Sequence, residues 1–145
     1  MRALNYPPHV TFAVYDSPEV TEEMAVAATE LMARGRSPNE IGFNHVRSFA
    51  GPPLILWADP EPKEALHEMH RQLHTAIDPA FCRPHYRPGN WVPHCTLATR
   101  ILPDRGAQAM AFAQSFRGGL RVVFDSIDCV TFPPVTIVAA TKLPA

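Results

Sequence analysis

The sequence predicts an α+β fold built from largely antiparallel sheets. Strand and helix patterns follow the order β-α-β-β-α-β-α-β-β, so helices alternate with hairpins rather than with single strands. A Pro-His-x-Thr-apolar-Ala pattern also occurs twice, once in each half of the chain. The 145 residues, 46% hydrophobic and 19% charged, suffice for one domain with a buried core. We therefore expect a single domain over residues 1–145, with two similar halves that each contribute one His-x-Thr strand.

The first half of the chain predicts a strand, a helix and a hairpin. Residues 9–16 alternate in character and are rich in β-forming side chains, which is typical of a strand. Ser17 is a candidate helix N-cap with Pro18 at the first helical position, and Gly35 ends the apolar pattern that follows. Residues 41–49 and 54–58 predict the two strands of the hairpin.

The second half predicts two helices and three further strands around one irregular loop. Apolar spacing predicts the helices at residues 62–77 and 103–116. The loop at residues 81–91 is rich in Pro and Arg. The strands are predicted at residues 92–100, 120–132 and 135–143.

The repeated pattern aligns YPPHVTFA with WVPHCTLA, around His9 and His94. With 16 Pro, 7 His and 9 Thr in the chain, Pro-His-x-Thr is expected only about 0.05 times in a shuffled sequence. A single His-x-Thr strand is more often an ordinary half-exposed pair than a catalytic one. The duplication reverses that expectation and favours a functional site.

The residue types of the motif suit phosphoester chemistry. Side chains alternate along a strand, so each histidine shares a face with the threonine two positions later. Two imidazoles with reference pKa values near ~6.5 can serve as general base and general acid, and hydroxyls can hold phosphate oxygens. We therefore expect His9 and His94 to be catalytic and Thr11 and Thr96 to bind phosphate, with no metal or other cofactor. The near-equivalent motifs leave open which histidine is the base.

On these motifs, His9-Val10-Thr11-Phe12 and His94-Cys95-Thr96-Leu97, the chain resembles the 2H phosphoesterase superfamily of 2′-5′ RNA ligases and cyclic phosphodiesterases. The segments FNHVRSFAGPPLILWAD and LHEMHRQLH are similar to the hairpin and second helix of that family. The resemblance implies two pseudo-symmetric, interleaved lobes with outer helices and an active cleft between the lobes. It also implies cleavage of 2′,3′-cyclic phosphates, or reversible 2′-5′ bond formation, at a nucleotide or RNA terminus.

Five further residues are candidates for a substrate rim: Phe49, Tyr86, Arg87, Trp91 and Arg100. The loop RPHYRPGNW mixes Arg with aromatic residues, which suits phosphates and bases, although a Pro-stiffened surface loop explains the composition equally well. Phe49 is a base-stacking wall by family resemblance, or else ordinary core. Arg100 is expected on the strand face of His94, where it reaches either a phosphate or solvent.

His67, His70 and His74 form a second group, on one face of a predicted helix. Such spacing can bind zinc, but no distant ligand is obvious, and an amphipathic helix explains the pattern better. A zinc hydrolase is therefore the least favoured interpretation.

The remaining composition bears on partners and compartment. A net charge of −1 gives no general positive field for nucleic acid. Three cysteines without metal-ligand spacing predict reduced thiols in the cytoplasm. No stretch resembles a membrane span or a signal peptide, and no obligate protein partner is evident. The alternative to an enzyme is a module that binds a nucleotide or RNA end without turnover.

Overall fold

The computed structural model describes residues 6–144, and within that range helices alternate with antiparallel hairpins. The helices are α1 (Glu22–Ala33), α2 (Glu64–Ala76) and α3 (Gly106–Ser115). The strands are β1 (Asn39–Phe49), β2 (Leu54–Glu61), β3 (Cys95–Ile101), β4 (Leu120–Phe124), β5 (Ser126–Thr131) and β6 (Thr136–Lys142). The predicted α+β class with antiparallel sheets is confirmed.

The chain divides into two compact units, each assembled from separate segments. Unit A contains residues 6–11, 41–62 and 93–122, and unit B contains residues 12–40, 63–92 and 123–144. Both His-x-Thr triplets therefore belong to unit A. The two triplets come from different halves of the sequence, and the first pairs with the strand that carries the second.

Unit A is organised around a four-stranded sheet in the order β3-β2-β1-β4. β1 and β2 form the predicted hairpin, and β2 is also antiparallel to β3. Residues 56–60 of β2 are all buried, as expected for an apolar strand that has a neighbour on each side. Helix α3 packs against β2. The hairpin thus supplies a buried platform that carries the second motif strand at its edge.

Unit B has an apolar core between α1 and α2. Its buried side chains recur at helical spacing and are Ala28, Met32, Met69, Leu73 and Ile77. β5 and β6 pair with each other and both contact α1. Within the described residues, no helix combines the length and the hydropathy that a membrane span requires.

The start of α1 differs from the prediction. Thr21, not Ser17, is the N-cap, and its side chain accepts a hydrogen bond from the backbone N–H of Met24. Ser17 closes a turn instead, because its hydroxyl accepts from the N–H of Glu19 and its carbonyl accepts from the N–H of Val20. The helix ends before Gly35, as predicted, and the φ of +70° at that glycine suits such a position.

Two predicted strands also differ. Residues 9–16 form two single bridges, Val10 with Cys95 and Tyr15 with Cys82, because the boundary between the units follows Thr11. Residues 120–132 form β4 and β5 rather than one strand. Asp125 interrupts them: its carbonyl accepts from the N–H of Leu143, and its carboxylate accepts from Lys142.

Candidate active site

The two His-x-Thr triplets lie side by side in unit A. Their central residues, Val10 and Cys95, form an antiparallel bridge. In an antiparallel pair, the residues that flank a bridged pair oppose each other in reverse order. His9 is therefore the neighbour of Thr96, and Thr11 is the neighbour of His94.

All four motif side chains share one face of this pair. Alternation places Val10 and Cys95 on the opposite side, where Cys95 is buried, while the four flanking residues are half-buried. Direct cross-strand neighbours have Cβ atoms about 4.5–5.5 Å apart. Each imidazole thus has one hydroxyl two residues along its own chain and another across the bridge. At this spacing, the four motif side chains can all reach the oxygen atoms of a single phosphate.

His9 is oriented by a backbone carbonyl. Its Nδ1 lies 2.9 Å from the carbonyl oxygen of Pro7. A carbonyl only accepts, so Nδ1 carries the proton of this hydrogen bond and Nε2 remains available to exchange a proton with substrate. The ring of Tyr6 meets the imidazole edge-on, with centroids 4.9 Å apart.

His94 is enclosed by two aromatic rings of the hairpin. The Phe49 ring stands nearly perpendicular to the imidazole at 5.1 Å between centroids, and the Trp57 ring lies at 5.9 Å. Phe49 and Trp57 stack on each other at 4.9 Å. Phe49, predicted from sequence, is therefore brought next to His94. Whether it also meets a base stays a prediction.

Trp57 is a site neighbour that sequence reasoning missed. It lies opposite Thr96 on one side and opposite Arg47 on the other, so its indole belongs to the motif face. Trp57 is 5% exposed, and its ring contacts the imidazole of His94. Strand alternation in the predicted hairpin already places Trp57 on one of the two faces of the sheet. Only the register between neighbouring strands shows that this is the face of the motif.

The strand alternation between His94 and Arg100 is interrupted in β3. The register of β3 against β2 shifts twice: Trp57 lies opposite Thr96, Leu56 lies opposite Ala98 and Leu54 lies opposite Ile101. Arg100 itself has a φ of +55°. Bulged residues break strand alternation, so counting residues from His94 does not by itself fix the face of Arg100. Its role as a rim residue stays a prediction.

The other rim candidates lie in unit B, where each has identifiable contacts. Arg87 donates from Nε to the carbonyl of Cys82 and from Nη2 to the carbonyl of Ala80. The carbonyl of Tyr86 accepts from His70, and Trp91 is buried. These contacts give the Arg and aromatic residues of the loop a packing role within unit B. A role in substrate binding for Tyr86, Arg87 and Trp91 stays a prediction.

The histidines of α2 pack rather than gather around a cation. His70 and His74 both approach the carbonyl of Tyr86, at 2.7 and 3.2 Å from Nε2, and His67 meets Trp91 edge-on. Burial lowers the pKa of His70. Among the described residues, no group of three or more His, Cys, Asp or Glu side chains is arranged to hold a metal ion.

Comparison with known protein families adds one finding. A family model described as the 2′-5′ RNA ligase superfamily matches residues 2–132. The matched range contains both His-x-Thr triplets, the hairpin and α2. No curated protein matches the chain significantly.

Proposed function

The chain belongs to the 2′-5′ RNA ligase superfamily, and from that membership we propose that it is a phosphoesterase acting on nucleotide or RNA ends. Its substrate is a 2′,3′-cyclic phosphate or a 2′-5′-linked phosphate. The observation that carries this proposal is the bridge between Val10 and Cys95, which sets the two His-x-Thr triplets in reverse order on one face. Binding alone does not require two imidazoles, whereas proton exchange on opposite sides of a phosphorus atom does.

The reaction needs one imidazole in each protonation state. The neutral imidazole takes a proton from water while the water oxygen bonds to phosphorus. One P–O bond to the ribose breaks, and the imidazolium gives its proton to the departing ribose oxygen. When a 5′-hydroxyl attacks in place of water and the 3′ oxygen departs, the product is a 2′-5′ bond. The same two groups, with their roles exchanged, serve the reverse reaction.

The threonines complete the phosphate site in this proposal. Thr11 lies across from His94 and Thr96 lies across from His9, so each hydroxyl is placed beside the imidazole of the other triplet. A hydroxyl that donates to a non-bridging oxygen steadies the negative charge that grows during attack. Neither role calls for a metal, and we expect the activity to persist in EDTA.

The decisive experiment measures hydrolysis of a 2′,3′-cyclic nucleotide by the purified protein in EDTA across a range of pH. We expect a bell-shaped profile, and a loss of turnover of at least roughly 100-fold in both His9→Ala and His94→Ala. His85→Ala is the matched control, because His85 is an exposed histidine of unit B outside the motifs. Full activity in both motif variants would refute the mechanism. Tight nucleotide binding without turnover of cyclic, 2′-5′ and ADP-ribose-type substrates would instead favour a binding module.

We propose a reducing compartment, the cytoplasm, as the place of action. Cys82, Cys95 and Cys129 form no disulfide, and burial raises the pKa of each thiol. Unpaired thiols of this kind are usual where reductants keep cysteine reduced.

A further inference from the structure

We infer that Asp59 is a positioning residue for His94: its carboxylate lies beside the imidazole, orients the ring and favours its protonated form. The catalytic meaning of this inference rests on the proposed function. The contact itself belongs to the sheet of unit A and is testable without any activity.

The register of the sheet brings the two residues together. Between β2 and β3, Trp57 lies opposite Thr96 and Ala58 lies opposite Cys95. The pairing ends at Ala58 and Cys95, and the same register carried one residue further, to the residue that precedes β3, places Asp59 beside His94. Asp59 also shares the face of Trp57, two residues earlier, and the Trp57 ring already borders the imidazole. Direct neighbours of this kind have Cβ atoms about 4.5–5.5 Å apart, within reach of a carboxylate and an imidazole.

The burial of Asp59 requires charged or polar partners. Its side chain is 1% exposed, and a buried carboxylate is stable only when it is paired and hydrogen-bonded. Arg47 donates from Nε to Oδ2, while the Arg47 side chain is itself 54% exposed. A carboxylate offers about four acceptor positions, so one bond from Arg47 leaves capacity for an imidazole N–H.

The charged and titratable groups around His94 come from three segments. Asp59 faces it from β2, Arg47 faces Asp59 from β1, and His9 faces from the first motif. His45 on β1 lies opposite Asp59, on the side away from β3. Asp59 therefore lies between the residues His45 and His94, and we propose that the imidazole it orients is that of His94.

This placement separates the roles of the two motif histidines. Nδ1 of His9 donates to the carbonyl of Pro7, an uncharged partner that leaves Nε2 free to accept a proton. A carboxylate neighbour favours an imidazolium. We assign His9 as the general base and His94 as the general acid for hydrolysis. The near-identical motifs alone could not make that distinction.

Nitrogen-15 NMR of the histidine rings tests the contact directly. In Asp59→Asn, which removes the charge and keeps the shape, the midpoint of the His94 titration should shift to lower pH while that of His9 stays in place. His45→Asn is the matched control on the other side of Asp59 and should leave the His94 titration unchanged. An unshifted His94 midpoint in folded Asp59→Asn would overturn the inference, whatever the protein does to nucleotides.

Steady-state kinetics provide a second test of the role of Asp59. On a 2′,3′-cyclic nucleotide, Asp59→Asn should lower kcat about 10- to 100-fold with little change in KM, because a misoriented acid acts only on the chemical step. The basic limb of the pH profile, which reports the acid, should move to lower pH while the acidic limb stays. If Asp59→Asn only decreased the amount of folded enzyme, the rate would fall at every pH and neither limb would shift. That result would show that Asp59 has a structural role only.

A measurement on the unmodified protein covers the case in which Asp59→Asn does not fold. The His94 ring N–H that faces Asp59 should exchange slowly with solvent, because its acceptor is almost fully buried. Rapid exchange of both His94 ring protons would overturn the inference without any variant of Asp59.

Discussion

The imidazole of His70 lies parallel to the indole of Trp91, with ring centroids 4.2 Å apart and an interplanar angle of 1°. Nε2 of His70 also donates to the carbonyl of Tyr86 at 2.7 Å. The side chain is 3% exposed, and burial lowers its pKa below the ordinary value of 6.5, an effect that the bond to Tyr86 partly opposes. A neutral His70 thus fastens the loop before β3 onto α2.

We predict that acid weakens this contact and destabilises the protein. Because the pKa of His70 is lower in the folded than in the unfolded chain, its stabilising contribution is complete above pH 6.5 and is lost as pH falls through the folded-state value. The Tm should therefore fall on acidification, and it should fall less steeply in His70→Gln. Exposed His85→Gln is the control and should follow the unmodified protein. Parallel curves for His70→Gln and the unmodified protein would contradict this prediction.

We predict that the Trp57 ring, rather than its N–H, supports the motif face. Trp57→Ala leaves a cavity beside Phe49 and His94 and should cost about 3–5 kcal/mol of unfolding free energy. The indole Nε1 has no hydrogen-bond partner among the described residues, so Trp57→Phe forfeits no such bond, keeps most of the ring contacts and should cost clearly less than Trp57→Ala. Urea denaturation measures both variants. Equal losses would show that the indole has a polar contact or a volume that Phe cannot replace.

The site was predictable where it depended on local pattern and not where it depended on register. The repeated triplets predicted that each histidine shares a face with the threonine two residues later, because alternation along a strand is a local property. The bridge between Val10 and Cys95, by contrast, joins residues that are 85 positions apart in the sequence. Without that register, Trp57 and Asp59 read as ordinary positions of an apolar strand. The bulges of β3 are likewise a property of its pairing with β2 and not of its composition, so alternation alone could not fix the face of Arg100.

The loop at residues 81–91 shows a second limit of sequence patterns. Its Arg and aromatic residues suit a nucleotide, yet the same chemistry suits protein carbonyls and rings. Here Arg87 binds two backbone carbonyls and Trp91 stacks on His70. Composition alone cannot choose between these uses, because a guanidinium meets a carbonyl and a phosphate oxygen with the same N–H groups.

We predict slow thiol chemistry in the native protein. Burial raises the pKa of Cys82, Cys95 and Cys129, so the thiolate, which is the reactive form, is scarce at neutral pH. Alkylation should therefore be slow until urea unfolds the chain. Cys129 is the least buried of the three and should react first. Mass spectrometry of timed samples identifies the order, and rapid labelling of Cys95 in folded protein would contradict it.

We predict that the backbone of Arg100 is strained. Two substitutions at this position, to Gly and to Ala, can distinguish the effect of that strain on stability from an effect of the side chain on activity. Its φ of +55° is in the left-handed region, which costs a residue with a Cβ roughly 1–2 kcal/mol relative to glycine. Arg100→Gly and Arg100→Ala both remove the side chain, but only Gly relieves the strain, partly offset by its greater freedom in the unfolded chain. Arg100→Gly should therefore be the more stable of the two in urea denaturation. If Arg100 contacts the substrate phosphate, turnover of a 2′,3′-cyclic nucleotide should fall equally in both variants. Unchanged turnover in both would remove Arg100 from the substrate rim, and greater stability of Arg100→Ala would show that the left-handed conformation is not strained.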